Sequence, residues 1–296
     1  MHSSRPYADT NRMLKWRGRK GVSMKSIFIC LTMIVLCLGG SAARADWTES
    51  SKALLAQAQR DARHQPPAGM QARAVAMPDG RGFFLVWTPA GVTPSDWIVS
   101  MPGTHGLATD EFALWAPFLQ GGKIGLVEVQ WWLGTGDDTA DYLAPQDIYR
   151  ALDQTLPALG AKPGHVLLHG FSRGSSNVYA VAALDNARGH KYFRAVVANS
   201  GGMAEGYPPT RHIIDGDYGT RPFAGQKWVT VCGSRDPHPE RDGCPAMRRT
   251  AAWLKEQGGE IAFQIEDAQA GHGALHTNPA NARKLVAWFS DAKTGN

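Results

Sequence analysis

The chain has 296 residues, a formal net charge of +5 and a pI near 9.1. Eight of its 31 basic and one of its 26 acidic residues fall within residues 1–45, which leaves 23 against 25 beyond that point, a formal charge of −2. A nucleic acid or an anionic membrane surface is held by clustered Lys and Arg, so that distribution excludes both as partners of the main part of the chain.

The first 45 residues read as a leader. Met24-Lys25 opens a cationic segment, residues 27–38 form an apolar core, and Ala43-Arg44-Ala45 has the small-x-small form of a signal-peptidase site. The apolar run is shorter than the roughly 20 residues a spanning helix needs, so cleavage after Ala45 is expected instead of anchoring, with a periplasmic or secreted product. Residues 1–23 precede this segment as an extended leader or an early start codon. Removing the leader removes Cys30 and Cys37 and leaves Cys232 and Cys244. Two cysteines in an oxidising compartment predict one disulfide, and the pair lacks the spacing and the second pair of a zinc site.

Beyond the leader, residues 46–296 have ordinary size for one domain and no internal repeat. Residues 50–64 predict an amphipathic helix that Pro66-Pro67 ends, and 72–77 and 82–88 predict a hairpin through Pro78-Asp79-Gly80-Arg81. Apolar runs then recur at 97–101, 124–132, 165–170, 193–199, 227–231 and 261–266, with helical patterns at 145–159, 175–187, 245–257 and 278–291. That alternation predicts an α/β fold, a mostly parallel central sheet with helices on both faces. Residues 203–226 lack clear periodicity and read as a small cap-like insertion after the sixth strand.

Gly170-Phe171-Ser172-Arg173-Gly174 stands between the strand pattern at 165–170 and the helix pattern at 175–187. Such a tight strand-to-helix turn lifts a serine hydroxyl above the sheet, which makes Ser172 the candidate nucleophile. Asp236, in Cys232-Gly233-Ser234-Arg235-Asp236-Pro237, and His272, in Gly271-His272-Gly273, also follow strand ends, where the working residues of parallel sheets gather. A serine hydroxyl is a weak nucleophile at neutral pH. His272 is therefore expected to accept its proton, and Asp236 to hold the imidazole tautomer. Asp242 and Asp215 are the alternatives for the acid, His276 and His238 for the base.

In these motifs, and in the order serine, acid, histidine, the chain resembles the α/β-hydrolase superfamily over most of residues 46–296. The resemblance implies an exported serine esterase or lipase that works through an acyl-enzyme without metal or cofactor. Its substrate would be a small-molecule or polymeric ester, and it would be a monomer or weak homodimer with no lasting membrane partner. It also implies an oxyanion hole from the Arg173 N–H and a second donor in Pro102-Gly103-Thr104-His105-Gly106. Many relatives carry His-Gly at the start of that loop and this chain has Pro102-Gly103, so Thr104 is the expected donor, with Gly103 or His105 next. Trp132 and His105 are expected to contact substrate, Trp132 and Trp115 as apolar walls. The Arg173 side chain is expected to pair with a nearby acid or a substrate carboxylate. His165 and His169 share a strand face, and His169 reads as packing under the elbow. Asp137, Asp138 and Asp141 match no calcium loop and read as solvated. A serine peptidase on the same fold and a non-catalytic binding protein are the other readings.

Overall fold

The computed structural model describes residues 46–291; the leader expected at 1–45 lies outside them. The chain opens with α1 (Glu49–Arg60), and a 3-10 turn at Ala62–His64 follows. The Thr48 side chain caps α1 by accepting from the Ser51 N–H.

The strands β1 (Met70–Ala76), β2 (Phe83–Pro89), β3 (Asp96–Met101), β4 (Ile124–Gln130), β5 (Val166–Phe171), β6 (Phe193–Asn199), β7 (Lys227–Gly233) and β8 (Glu260–Asp267) form one sheet. Their order is β1-β2-β4-β3-β5-β6-β7-β8. β1 pairs antiparallel with β2, and β2 with β4; every other neighbour is parallel. The mostly parallel sheet read from the sequence is therefore present, and the expected hairpin forms its antiparallel edge.

The connecting helices are α2 (Ala108–Leu119), α3 (Pro145–Ala158), α4 (Arg173–Arg188), α5 (Pro208–Ile214), α6 (Cys244–Glu256), α7 (Ala274–Thr277) and α8 (Pro279–Asp291). They cover both faces. Val166 and Leu168 of β5 join a core with Ile148, Val178 and Trp253 of α3, α4 and α6. Leu167, between them, joins the opposite core with Leu54, Phe112 and Leu285 of α1, α2 and α8. Strand side chains alternate faces, so β5, buried on both sides, needs apolar residues at successive positions, as at Val166, Leu167 and Leu168. That requirement explains the continuous apolar runs. The insertion at 203–226 holds α5, which begins with Pro208-Pro209, a pair that suits the first turn of a helix, where N–H groups lack partners.

Cys232, at the end of β7, and Cys244, the first residue of α6, form a disulfide with Cα atoms 5.1 Å apart. The bond closes a loop of 12 residues that carries Asp236 and Asp242. Loop-closure entropy gives such a link a stabilisation of about 3 kcal/mol. Reduction should accordingly lower the thermal unfolding midpoint by several degrees, with both thiols appearing in a titration of the denatured protein only after reductant; an unchanged midpoint would rule out this contribution.

Candidate active site

One residue separates β5 from α4, and it is Ser172. Its φ of 53° and ψ of −119° are a strained conformation for a residue with a Cβ. The turn is held by the Ser172 N–H donating to Asn199 O at 2.8 Å. Glycines make it possible. A Cβ on Gly170 would stand 2.4 Å from Gly174 O, and one on Gly174 would stand 2.4 Å from Met101 O and 2.7 Å from Pro102 O. Real Cβ contacts do not reach those distances, so the backbones of the elbow, its helix and the 102–106 loop approach closely only because both positions are bare. Gly201, beyond the pentapeptide, has the same role: its Cβ would lie 2.1 Å from Ser172 O.

Asp236 and His272 are brought together by the ends of β7 and β8. His272 Nδ1 donates to Asp236 Oδ2 at 2.7 Å, and Asp236 Oδ1 accepts from the His238 N–H at 2.9 Å. Asp236 is 5 % exposed. The two loops touch through backbone: Arg235 N donates to Ala270 O at 3.0 Å, and a Cβ on Gly233 would meet Gly271 O at 2.1 Å. Ser172 and His272 line a single cavity of about 450 Å³ together with Gly103 and Thr104. A larger cavity of about 620 Å³, between α2 and α8, contains neither Ser172 nor His272.

The alternative acids and bases fall elsewhere or are otherwise engaged. Asp215 caps the end of α5 and is exposed. Asp242 accepts from Arg241 Nε and Nη2, each at 2.7 Å, although its carboxylate lies within 4.8 Å of the His272 and Asp236 polar atoms. The Asp236, Asp242 and His272 donors form a group compact enough for a cation among the described residues, and their present contacts are the hydrogen bonds just given. His238 is exposed and meets Asp236 through its backbone N–H. His276 lines the Ser172 cavity, but its Nε2 donates to both oxygens of Glu111 at 3.2 Å.

The 102–106 loop is anchored from two sides. Trp131 Nε1 donates to Pro102 O at 3.0 Å, and the His105 N–H donates to Tyr142 Oη at 3.1 Å. The latter bond occupies His105, and Gly106 N is occupied by Gly103 O at 3.0 Å. Among the described residues no hydrogen bond uses the N–H of Gly103 or Thr104. Arg173 is the first residue of α4, where N–H groups lack intrahelical acceptors.

Several expected contacts take another form. Trp132 and His105 pack on each other with ring centroids 5.1 Å apart, and both reach Gly136 O, from Nε1 at 3.2 Å and Nε2 at 3.0 Å. Neither lines the cavities beside Ser172. Trp115 is buried and donates from Nε1 to Ser100 Oγ at 3.2 Å. The wall at Ser172 instead combines Phe171 with the polar side chains of Arg63, Asp110, Glu111 and His276. Arg63 pairs with Asp61 and Asp110. Arg173 stacks its guanidinium 4.3 Å from the Tyr142 ring centroid and pairs from Nη2 with Asp137, at 2.8 Å to the carbonyl and 3.2 Å to the carboxylate. Asp141 accepts from the Asp138 N–H. His165 Nδ1 pairs with Asp96 at 3.1 Å, away from the elbow.

Sequence reading missed the acid network below the elbow. Ser100 Oγ lies 2.8 Å from His169 Nδ1, a second Ser–His contact, but both are fully buried and no substrate reaches them. Burial, and next the charge of His276, push His169 well below its ordinary value, so it is neutral there. Glu128 is also fully buried, and neither carboxyl oxygen has a hydrogen-bond partner among the described residues. Burial first, then Glu111 and Asp110, push that carboxyl well above the usual range. A signal did exist: Glu128 is a carboxylate inside the apolar run Ile124 to Val129 of β4.

Burial lowers the His276 pKa, but the charge and hydrogen bonds of Glu111, with Asp110 behind, outweigh it and the net shift is upward from 6.5. A raised folded-state pKa stabilises fully below the unfolded value and ceases to do so as pH rises through the raised value. His276 is exposed while Glu111 is buried, so solvent screens the pair and losing it costs about 1 kcal/mol. Glu111→Gln should therefore unfold more easily by about that amount below pH ~6, with the gap narrowing as alkali discharges His276. Denaturant unfolding of both proteins across pH measures this, and a gap that widens with pH would contradict the pairing.

The sequence matches no family model and no curated relative. Solved structures do match. The chain is similar to an esterase from the fungus Rhizomucor miehei, at 16% identity and a TM-score of 0.60 over 83% of this chain and 90% of that one. It is similar to the hyperthermophilic esterase of the archaeon Pyrobaculum calidifontis, at 15% identity and a TM-score of 0.58 over 82% and 89%. A prolyl endopeptidase is similar at 15% identity and a TM-score of 0.52, over 76% of this chain and 39% of that one. At such identities the likeness is one of fold.

Proposed function

On the premise that the chain has the α/β-hydrolase fold, we propose that it is an exported serine hydrolase of carboxylic esters, with Ser172 as nucleophile, His272 as base and Asp236 as its orienting acid. The observation that carries this reading is the 2.7 Å His272–Asp236 hydrogen bond in the same cavity wall as a serine held at positive φ between β5 and α4. Export is supported by the leader pattern and by the Cys232–Cys244 bond.

The steps follow from the available atoms. With Nδ1 bound to Asp236, His272 keeps Nε2 for the Ser172 proton. Ser172 Oγ attacks the ester carbonyl carbon as its proton passes to Nε2, and the carbonyl oxygen takes up negative charge. The Arg173 N–H and that of Thr104, or of the adjacent Gly103, stabilise this charge at a few kcal/mol each. Collapse expels the alcohol, which takes the proton from Nε2 and leaves an acyl-serine. Water then attacks the acyl carbon, gives its proton to Nε2, and the acid leaves as Ser172 recovers its hydrogen. No redox partner is consumed.

Short acyl esters should be hydrolysed and peptide amides of the same acyl group left intact; amide cleavage at a comparable rate would favour the peptidase reading. Ser172→Ala should lose both ester turnover and labelling by a fluorophosphonate probe, whereas retained labelling would place the nucleophile elsewhere. Asp236→Asn should fold normally but lower kcat by about 10³–10⁴, because the wrong imidazole tautomer would face the serine.

A further inference from the structure

Two cavities meet on the side of Ser172 away from His276. One, of about 410 Å³, is lined by Ser172, Arg173 and Tyr207. The other, of about 540 Å³, is lined by Tyr142, Asn177, Tyr207 and the prolines Pro145, Pro208 and Pro209 among others. Tyr207 is their common wall. Arg173 and Asn177 stand four residues apart on α4 and so share one helix face. Each holds a buried donor without a partner among the described residues, Arg173 Nη1 and Asn177 Nδ2. Asn177 is 1 % exposed, and its Oδ1 is 3.5 Å from Tyr207 Oη. A buried donor left unmatched is costly, and these two, Arg173 in the lining of the first cavity and Asn177 in that of the second, call for acceptor oxygens from a ligand.

The other polar groups nearby are occupied. Arg81 and Arg150 hold Asp147, Gln146 donates to Tyr218, and His212 pairs with Asp217. A sugar, which needs many polar partners, is poorly served; a flat apolar ring with a single oxygen substituent is well served between tyrosine and proline surfaces. Ser172 to Asn177 spans five residues of helix, about 7.5 Å of rise, a reach that a two-carbon linker and a ring can cover.

Resting on the esterase reading, we propose that these cavities form the subsite for the acyl part of the substrate, and that this part ends in an aromatic ring bearing an acceptor oxygen, received by Asn177 Nδ2 and Arg173 Nη1 with Tyr207 against the ring.

The test uses p-nitrophenyl esters with one leaving group: 3-phenylpropanoate, its 4-methoxy derivative and its 4-carboxy derivative. The saturated linker keeps the reacting carbonyl alike in all three. The mature protein should show kcat/KM about tenfold higher for at least one oxygen-bearing ester than for the bare ring, the value of one good hydrogen bond. Preference for methoxy over carboxylate would identify a neutral acceptor, and the reverse a charged one. In Asn177→Leu the ratio should fall to near one. Tyr207→Ala, at the surface end of the insertion, gives a second reading and should raise KM for the ring esters more than for p-nitrophenyl acetate. Equal rates for all three rings in the native protein, or a preference that survives both substitutions, would overturn the subsite. Binding of the matching amides to Ser172→Ala, followed by ligand-observed NMR, should keep the same order. This measurement stands apart from turnover: amides that bind in that order, while the native protein hydrolyses none of the esters, would refute the esterase reading and retain the subsite, and amides that bind equally would refute the subsite.

Discussion

Four backbone segments meet around Ser172. The elbow, the start of α4, the 102–106 loop and the chain after β6 approach within distances that no Cβ tolerates, at Gly170, Gly174 and Gly201. Everything proposed for the site depends on that crowding. It fixes the strained φ of Ser172, which a lone turn would relax, and it sets the N–H of Arg173 beside the loop that contains Thr104. Strain of this kind costs of order 1–3 kcal/mol and persists only where surrounding structure over-determines it. Here the surrounding structure is the parallel centre of the sheet, β3, β5 and β6, buried on both faces.

Around this rigid centre the electrostatics divide by side. Beneath α2 lies a network of acids and imidazoles, in which one charge pair, Glu111 with His276, is flanked by a neutral His169 and by Glu128, whose carboxyl burial pushes well above the usual range. Toward α5 lie donors without acceptors. His272 sits between the two, with the Phe171 ring 5.0 Å away and that ring also 4.4 Å from His276. An aromatic spacer thus separates the imidazole assigned to proton transfer from the one assigned to a permanent pair, which keeps their hydrogen-bond partners distinct.

The sheet, its antiparallel edge and most helices were legible because strands buried on both faces must be largely apolar, and this chain interrupts them with well-marked turns. The neighbourhood of Ser172, Asp236 and His272 was legible for a related reason, since each follows a strand end and each carries local glycines. Helix α5 was not, because seven residues give too little periodicity to register. The fates of Trp132 and His105 were not legible either. Which way an aromatic turns depends on partners distant in sequence, and Gly136 O claimed both. Gly201 escaped notice because Ser200-Gly201-Gly202 reads as an ordinary turn after a strand; its necessity appears only when β6 is laid beside β5.

The disulfide has a mechanical consequence. Its two ends are the close of β7 and the first residue of a helix, so it anchors the base of a loop that carries the carboxylate bonded to His272. Thermal motion of that loop changes the angle at which the imidazole faces the serine, and a tie at the base shortens the lever arm. On the proposed mechanism, a chain made where thiols stay reduced would carry all its catalytic candidates with a looser hinge under one of them.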